Sequence, residues 1–185
     1  LLVAASMGGF TLSAQTVNSL ENGKYSLSVG DVTLTVDASR GGKIVSYKYK
    51  DTEILSQTRM PNSFGSTFWT SPQSEWNWPP VPEYDTKPFN AEVTDGKLVL
   101  TGEKSKRFGY KVRKEFVADT KDNAIVITYT LVNESGETRK VAPWEISRVP
   151  NGGILFFDAK EVTPANNMAG LPFVYEKKAA WYVLD

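Results

Sequence analysis

The stretch YSLSVGDVTLTV, residues 25–36, indicates the fold class of this chain. Tyr, Leu or Val occupies every second position on either side of Gly30-Asp31, and Ser or Thr fills the positions between. Side chains of a β-strand point alternately to opposite faces of a sheet, and a Gly-Asp pair between two such runs is typical of a tight turn. The stretch therefore predicts a β-hairpin.

The same alternation recurs along the chain at short intervals. Asp95-Gly96 is a strong hairpin signal, because glycine accepts the positive φ that a type I′ turn requires. No stretch before Ala165 shows a sustained helical period. Strands at this regular spacing predict an all-β, antiparallel sandwich or barrel. Beyond the hairpin, the predicted strands are 44–49, 53–55, 91–93, 97–101, 110–118, 124–132, 139–149 and 154–157, with weaker signals at 173–175 and 181–184.

Composition limits the possible functions. A chain of 185 residues with 41% hydrophobic residues suits one domain with a packed core. Lys and Arg number 21, as do Asp and Glu, so the net charge is zero and nucleic acid is not an expected partner. The sequence contains no cysteine and no histidine, which excludes thiolate sites and a serine–histidine triad within these residues.

The N-terminal sequence LLVAASMGGFTLSA is apolar and uncharged. We interpret residues 1–14 as the remnant of a secretory signal peptide with cleavage after Ala14, and residues 15–185 as a single, truncated domain. The alternative is an ordinary buried first strand or helix. The apolar run is too short to span a bilayer, so no membrane span is expected. The protein is accordingly predicted to be secreted or periplasmic.

Residues 64–90 form the most unusual segment, with three of the five tryptophans and five of the ten prolines. Proline resists both helix and central strand, so most of this segment is predicted to be loop. Long loops without regular structure are usually functional or disordered, and disordered segments are poor in aromatic residues. Indole rings beside planar polar groups suit sugar rings, which present apolar C–H faces and hydroxyl groups. The candidate ligand-binding residues here are Trp69, Gln73, Trp76 and Trp78.

A different interpretation of the same segment remains open. The tryptophans could plug one end of the β-structure as a covering loop. Glu75, Glu83 and Asp85 could act as acid and base, hold calcium with backbone carbonyl groups, or simply be solvated.

The predicted strand 139–149 supplies further candidates. Alternation places Trp144 and Arg148 on one face, where they could form a sugar platform with a charged donor, and Glu145 on the other face. Trp144 could equally belong to the core, with Glu145 paired to a neighbouring strand. In the predicted strand 110–118, Arg113 could present its planar guanidinium to a sugar or a uronate carboxylate, or lie on a solvated charged face.

Three segments resemble the galactose mutarotase-like (aldose 1-epimerase-like) superfamily, in particular its secreted bacterial members. They are SRGGKIVSYKYKDTEIL (39–55), with its glycine pair Gly41-Gly42, then STFWTSPQSEWNWPP (66–80) and APWEISRVPNGGILFF (142–157). The resemblance covers residues 25–157. It implies an antiparallel β-supersandwich, incomplete at the C-terminus here, with a sugar site on its concave face.

The resemblance implies a ligand class more directly than an activity. Mutarotases use a histidine as general acid and a late glutamate as general base, and this chain has no histidine. Our hypothesis is a carbohydrate-binding domain that recognises or acts on glycans through Trp69, Gln73, Trp76, Trp78, Arg113, Glu145 and Arg148, without a cofactor or a metal ion. The alternative is a non-catalytic accessory domain of a larger secreted glycan-processing protein.

Overall fold

The computed structural model describes residues 17–58, 63–159 and 173–184. Within them, helical structure is confined to helix α1 (Pro82–Asp85) and two 3-10 turns, Glu21–Gly23 and Gln73–Glu75. The paired strands are antiparallel. The predicted antiparallel all-β class is thus confirmed. The predicted signal peptide, residues 1–14, lies outside the described residues.

Fourteen strands are found in the described part of the chain, and they form three sheets. They are β1 (Val17–Ser19), β2 (Lys24–Val29), β3 (Val32–Asp37), β4 (Lys43–Tyr49), β5 (Thr52–Glu53), β6 (Ser66–Ser71), β7 (Asn90–Thr94), β8 (Lys97–Thr101), β9 (Tyr110–Asp119), β10 (Ala124–Asn133), β11 (Ala142–Ser147), β12 (Gly153–Asp158), β13 (Val174–Glu176) and β14 (Ala179–Leu184). The first sheet has the order β1-β2-β3-β4-β6-β11, with β5 paired to β4, and the second has the order β10-β9-β8-β7.

Both predicted hairpins are present. Strands β2 and β3 pair from Lys24 with Asp37 to Val29 with Val32, around the Gly30-Asp31 turn. Strands β7 and β8 pair around Asp95-Gly96, and both turn residues have positive φ, as a type I′ turn requires.

The first two sheets face each other across a common core. Leu27 and Val36 of the first sheet are fully buried, as are Leu98 and Phe116 of the second, and all four belong to one apolar cluster. Complete burial of an aliphatic or aromatic side chain contributes about 1.5–3 kcal/mol. Along β9 the buried face includes a charged residue, Lys114, which is 1% exposed.

The segment 64–90 contains more regular structure than the sequence predicted. Its first part is strand β6, which pairs with β4 and over its whole length with β11. Residues 66–71 precede Pro72, the first proline of the segment, so no proline prevents them from joining a sheet. Strand β11 is shorter than the predicted 139–149 and lies at the sheet edge, a position where Pro143 is tolerated.

The third sheet has the order β12-β14-β13 and confirms the strand predicted at 154–157. Its apolar side chains are largely exposed, and Phe156 is 63% exposed while stacking on Trp181 with ring centroids 5.1 Å apart. The sheet therefore has little share in the core that the first two sheets enclose.

Candidate functional site

The pairing of β6 with β11 organises the candidate site. Trp69 and Trp144 are directly opposite each other in the two strands, and their ring centroids are 5.6 Å apart in an edge-on arrangement. Side chains that alternate with them point to the opposite side. The β6–β11 pair therefore has an outer face, which carries the tryptophans, and an inner face, which is turned toward the second sheet.

The segment after Pro72 folds back over the outer face. Trp76 packs edge-on against Trp69 at 5.9 Å and is only 4% exposed. Its Nε1–H donates to the carbonyl oxygen of Thr70 at 2.9 Å, so the polar atom of this buried ring has a partner. Trp76 thus fastens the segment to the outer face of the β6–β11 pair.

Trp78, two residues further on, is in the opposite situation. Its ring meets Trp69 edge-on at 5.8 Å, yet the residue is 68% exposed. Beside it lies an open cleft of about 350 Å³, bounded by Trp69, Trp78, Pro79, Pro80, Asp85 and Arg148. An exposed indole next to a cleft offers a flat apolar surface to a ligand.

Asp85 and Arg148 are the charged groups of this cleft, and both are tied to Trp69. The Trp69 Nε1–H donates to Oδ1 of Asp85 at 2.9 Å, and the Arg148 guanidinium lies over the Trp69 ring, 5.9 Å from its centroid. Arg148 also donates from Nη1 to Thr67 Oγ1 at 2.9 Å. Trp69 therefore positions an acceptor at its edge and a cationic donor over its face.

The absence of a side chain at Gly41 allows helix α1 to approach closely enough to place Asp85 at the cleft. Its φ is +64°, and a Cβ atom at this position would lie 2.2 Å from the carbonyl oxygen of Asp85. The Gly41 N–H donates to the carbonyl oxygen of Lys87 at 2.8 Å. Only glycine combines this backbone conformation with such a close approach.

Glu145 lies on the inner face, away from the tryptophans. Its carboxylate accepts a hydrogen bond from the Ser66 hydroxyl. Burial, and then the nearby Glu145 carboxylate, raise the pKa of Tyr129. A separate apolar cleft of about 280 Å³ opens here between the sheets, with Ile127, Tyr129 and Glu145 among its walls.

Lys114 lies deeper on the same side of the sandwich. Its Nζ donates to the carbonyl oxygens of Gly41 at 2.8 Å and Gly42 at 3.1 Å. The ammonium group also lies 5.5 Å from the Phe68 ring centroid and 5.6 Å from that of Tyr129. Burial lowers the pKa of Lys114 to about 8, because desolvation disfavours the charged form.

The structure does not bring Arg113 or Gln73 into the cleft beside Trp78. Arg113 lies on the face of β9 that points away from the core and pairs with Glu115 at 2.5 Å, and the hydrogen bond from Arg113 lowers the pKa of Glu115. Gln73 is exposed in a shallow depression beside Trp144. Of the predicted site residues, the structure groups Trp69, Trp78 and Arg148 around one cleft, with Trp76 beneath them.

Two residues of the site were not singled out from the sequence. Thr67 lies one alternation before Trp69 and so shares its face of β6, a signal that depends on recognising residues 66–71 as strand. The sequence presents Asp85 only as one of several loop carboxylates. Glu83, its neighbour in that group, instead pairs with Lys87 at 3.0 Å.

The described residues contain neither a cluster of metal-binding side chains nor a membrane-spanning helix. No group of three or more Asp or Glu side chains among residues 17–58, 63–159 and 173–184 is arranged to hold a metal ion. The helical segments in those ranges are all too short or too polar to cross a membrane. Comparisons of the chain with protein-family models, curated proteins and solved structures found no match.

Proposed function

We propose that this protein is a carbohydrate-binding domain whose ligand lies in the cleft between Trp78 and Arg148. The observation that carries the proposal is the exposure of Trp78, 68%, in a segment that is otherwise fastened to the sheet through the buried Trp76. A large aromatic ring that remains in water beside a cleft marks an interaction surface.

The polar groups around the cleft suit a sugar. A pyranose ring has an apolar C–H face that can stack on an indole and a rim of hydroxyl groups that donate and accept hydrogen bonds. Asp85 supplies an acceptor and Arg148 supplies a donor within one cleft, while the buried Thr67 accepts a hydrogen bond from Arg148 and so orients it. Trp69 holds Asp85 and Arg148 through its Nε1–H and its ring face, which pre-organises the site and lowers the entropic cost of binding.

The arrangement of carboxyl groups in the cleft favours ligand binding over acid–base catalysis. Acid–base chemistry on a glycosidic bond requires two carboxyl groups facing each other across the ligand. Among the described residues that line the cleft, the carboxylate is that of Asp85, and its Oδ1 accepts the Trp69 N–H. This observation favours the non-catalytic variant of the hypothesis, a domain that presents glycans to a larger glycan-processing protein.

We further propose that the all-β fold is of the galactose mutarotase-like supersandwich class and that the protein acts outside the cytoplasm. Two facing antiparallel sheets support the first part, together with the glycine pair Gly41-Gly42 directly before strand β4. The glycan hypothesis motivates the second part, since polysaccharides are met mainly outside the cell.

Titration of the full chain with a panel of polysaccharides, followed by tryptophan fluorescence, tests the proposal. Binding should change the emission of the wild-type protein, and the Trp78→Ala variant should lose most of that response. Trp181→Phe is the matched control, because Trp181 lies in the third sheet, stacked on Phe156. Absence of binding to every polysaccharide in the panel would refute the proposal.

A further inference from the structure

The surroundings of Trp78 are more cationic than the sequence as a whole. Arg148 lies on one side of the ring, and Lys106 and Arg107 lie on the other. None of these three side chains forms an ion pair with another residue of the described ranges 17–58, 63–159 and 173–184. Their positive charges are therefore available to a ligand, in a chain whose net charge is zero.

Trp78 separates two clefts rather than closing one. The second cleft, of about 340 Å³, shares Trp78, Pro79, Pro80 and Pro82 with the first and has Lys106 and Arg107 in its wall. The shared residues form a ridge of flat and rigid side chains, which we call the Trp78 ridge. A ligand that crosses this ridge meets a cationic group on either side of the indole.

The carboxylates near the ridge are already engaged. Glu83 in the second cleft pairs with Lys87 at 3.0 Å, and Asp85 in the first accepts the Trp69 N–H. Arg107 is positioned by its own bonds, since it donates from Nη2 to the carbonyl oxygen of Glu75 at 3.0 Å and stacks over Phe108. The arrangement thus places oriented guanidinium groups in both clefts, one beside Trp69 and one beside Phe108.

We propose that the Trp78 ridge binds an acidic polysaccharide, in which one sugar ring stacks on Trp78 and uronate carboxylates pair with Arg148 on one side and with Lys106 or Arg107 on the other. This inference rests on the proposed carbohydrate-binding function and adds the class of sugar. A planar carboxylate matches the fork of a guanidinium group and can accept two parallel hydrogen bonds from it. The Asp85 carboxylate disfavours a second anion at its end of the first cleft, so neutral hydroxyl groups occupy that end.

Single-stranded nucleic acid is the other polymer that combines negative charge with rings able to stack. It carries a phosphate at every nucleotide and is bound by grooves in which positive charge follows the backbone continuously. Here the apolar side chains of the Trp78 ridge, among them the exposed Trp78, Pro79 and Pro82, interrupt the positive charge. A polymer with charges on the rings themselves, and apolar ring faces between them, fits this arrangement better.

The decisive experiment compares two forms of one oligosaccharide, with its carboxyl groups either charged or methyl-esterified. Calorimetric titration of the full chain with oligogalacturonate and with its fully methyl-esterified form, at physiological salt, isolates the contribution of the carboxylates. We expect the acid form to bind at least about tenfold more tightly, which corresponds to one charge-assisted contact. An oligothymidylate of similar length tests the nucleic-acid alternative and should bind more weakly than the oligogalacturonate.

Variants then assign the effect to residues. Arg148→Gln and the double variant Lys106→Gln with Arg107→Gln should each weaken oligogalacturonate binding by about tenfold and weaken binding of the methyl ester less. Arg148→Lys should lose less, because it keeps the charge but not the fork. Lys121→Gln is the matched control for Arg148→Gln, since Lys121 lies in the turn at the far end of β9 and its loss changes the net charge equally. Circular dichroism verifies that each variant is folded.

The outcomes distinguish the two levels of the proposal. Equal affinity for the acid and ester forms, or unchanged oligogalacturonate binding by Arg148→Gln and the double variant alike, would overturn the acidic class while leaving the carbohydrate-binding function intact. Tighter binding of oligothymidylate would overturn it in favour of nucleic acid. If neither oligogalacturonate form nor any neutral polysaccharide binds, both the inference and the proposed function fail.

Discussion

The two faces of the β6–β11 pair use similar residue types for different purposes. On the inner face, the aromatic rings of Phe68 and Tyr129 stack at 4.8 Å and surround a buried cation, Lys114. On the outer face, the Arg148 guanidinium group lies over the Trp69 ring and borders an open cleft. The difference lies in solvent access, which decides whether a cation on an aromatic ring serves the fold or remains available to a ligand.

One buried and one exposed tryptophan, Trp76 and Trp78, pack against Trp69 on the outer face. The largest expected effect tests the structural role of the buried one. Trp76→Ala removes a buried indole and leaves a cavity against Trp69 and Trp144, so we expect a loss of about 3–5 kcal/mol in the free energy of unfolding. Urea unfolding followed by circular dichroism measures it. A loss below about 1 kcal/mol would mean that Trp76 does not fasten the segment.

Because Lys114 is buried against the inner face, we expect the free energy of unfolding to depend on pH. The pKa of Lys114 is about 8 in the folded protein and 10.5 in its ordinary state, so between these values the unfolded chain binds more protons. Stability should therefore rise with pH, by about 2 kcal/mol between pH 7 and 9.5. Burial raises the pKa of Tyr84 and Tyr129, so these residues make stability fall as pH rises. Their effect begins only where tyrosine in the unfolded chain ionises, near pH 10.

Unfolding in urea across this pH range measures the effect. The Lys114→Met variant should abolish the rise, whereas Lys121→Met, in an exposed turn, should retain it. A wild-type stability that is flat or falling up to pH 9.5, or a Lys114→Met variant with the wild-type rise, would contradict a buried, desolvated ammonium group.

The Trp78→Ala variant tests whether the exposed tryptophan of the outer face contributes to ligand binding and not to stability. Because the ring is largely exposed, we expect a change in stability within about 0.5 kcal/mol. Stacking on a flat ring contributes about 1–3 kcal/mol to the binding of nucleobases. We expect a sugar at the lower end of that range, so glycan affinity should fall by about tenfold. A stability loss like that of Trp76→Ala would show that both tryptophans are structural.

The smallest expected effect concerns Asp85. Asp85→Ala removes the acceptor of the Trp69 Nε1–H beside an open cleft, where water can replace it, and should cost about 1 kcal/mol of stability or less. Asp85→Asn keeps an acceptor oxygen and should cost less than the alanine variant. Thermal unfolding of the three proteins side by side checks this order, and a more destabilised asparagine variant would contradict it.

Several features of the two faces could be predicted from the sequence. Alternation correctly separated Glu145 from Trp144 and Arg148, because β11 keeps its register past Pro143. Both hairpins followed from their turn residues. Such features depend on neighbours in sequence, and for them local rules suffice.

The composition of the cleft depends on residues distant in sequence. That Trp76 is buried and Trp78 exposed follows from how the segment folds over β6, which the pattern of residues 64–90 does not reveal. Arg113 and Arg148 have equivalent sequence contexts, each in an alternating strand, yet only Arg148 borders the cleft. The choice between them required knowing that β11, and not β9, pairs with β6.

The close approach at Gly41 has a consequence for how this protein tolerates sequence change. A side chain at position 41 would collide with the backbone of α1, and the resulting shift would move Asp85 out of the cleft wall. Gly136 also has positive φ, but a Cβ atom there meets nothing within 4 Å. Substitution of Gly41 thus adds a collision with α1 to the strain of a positive φ, whereas substitution of Gly136 brings that backbone strain alone.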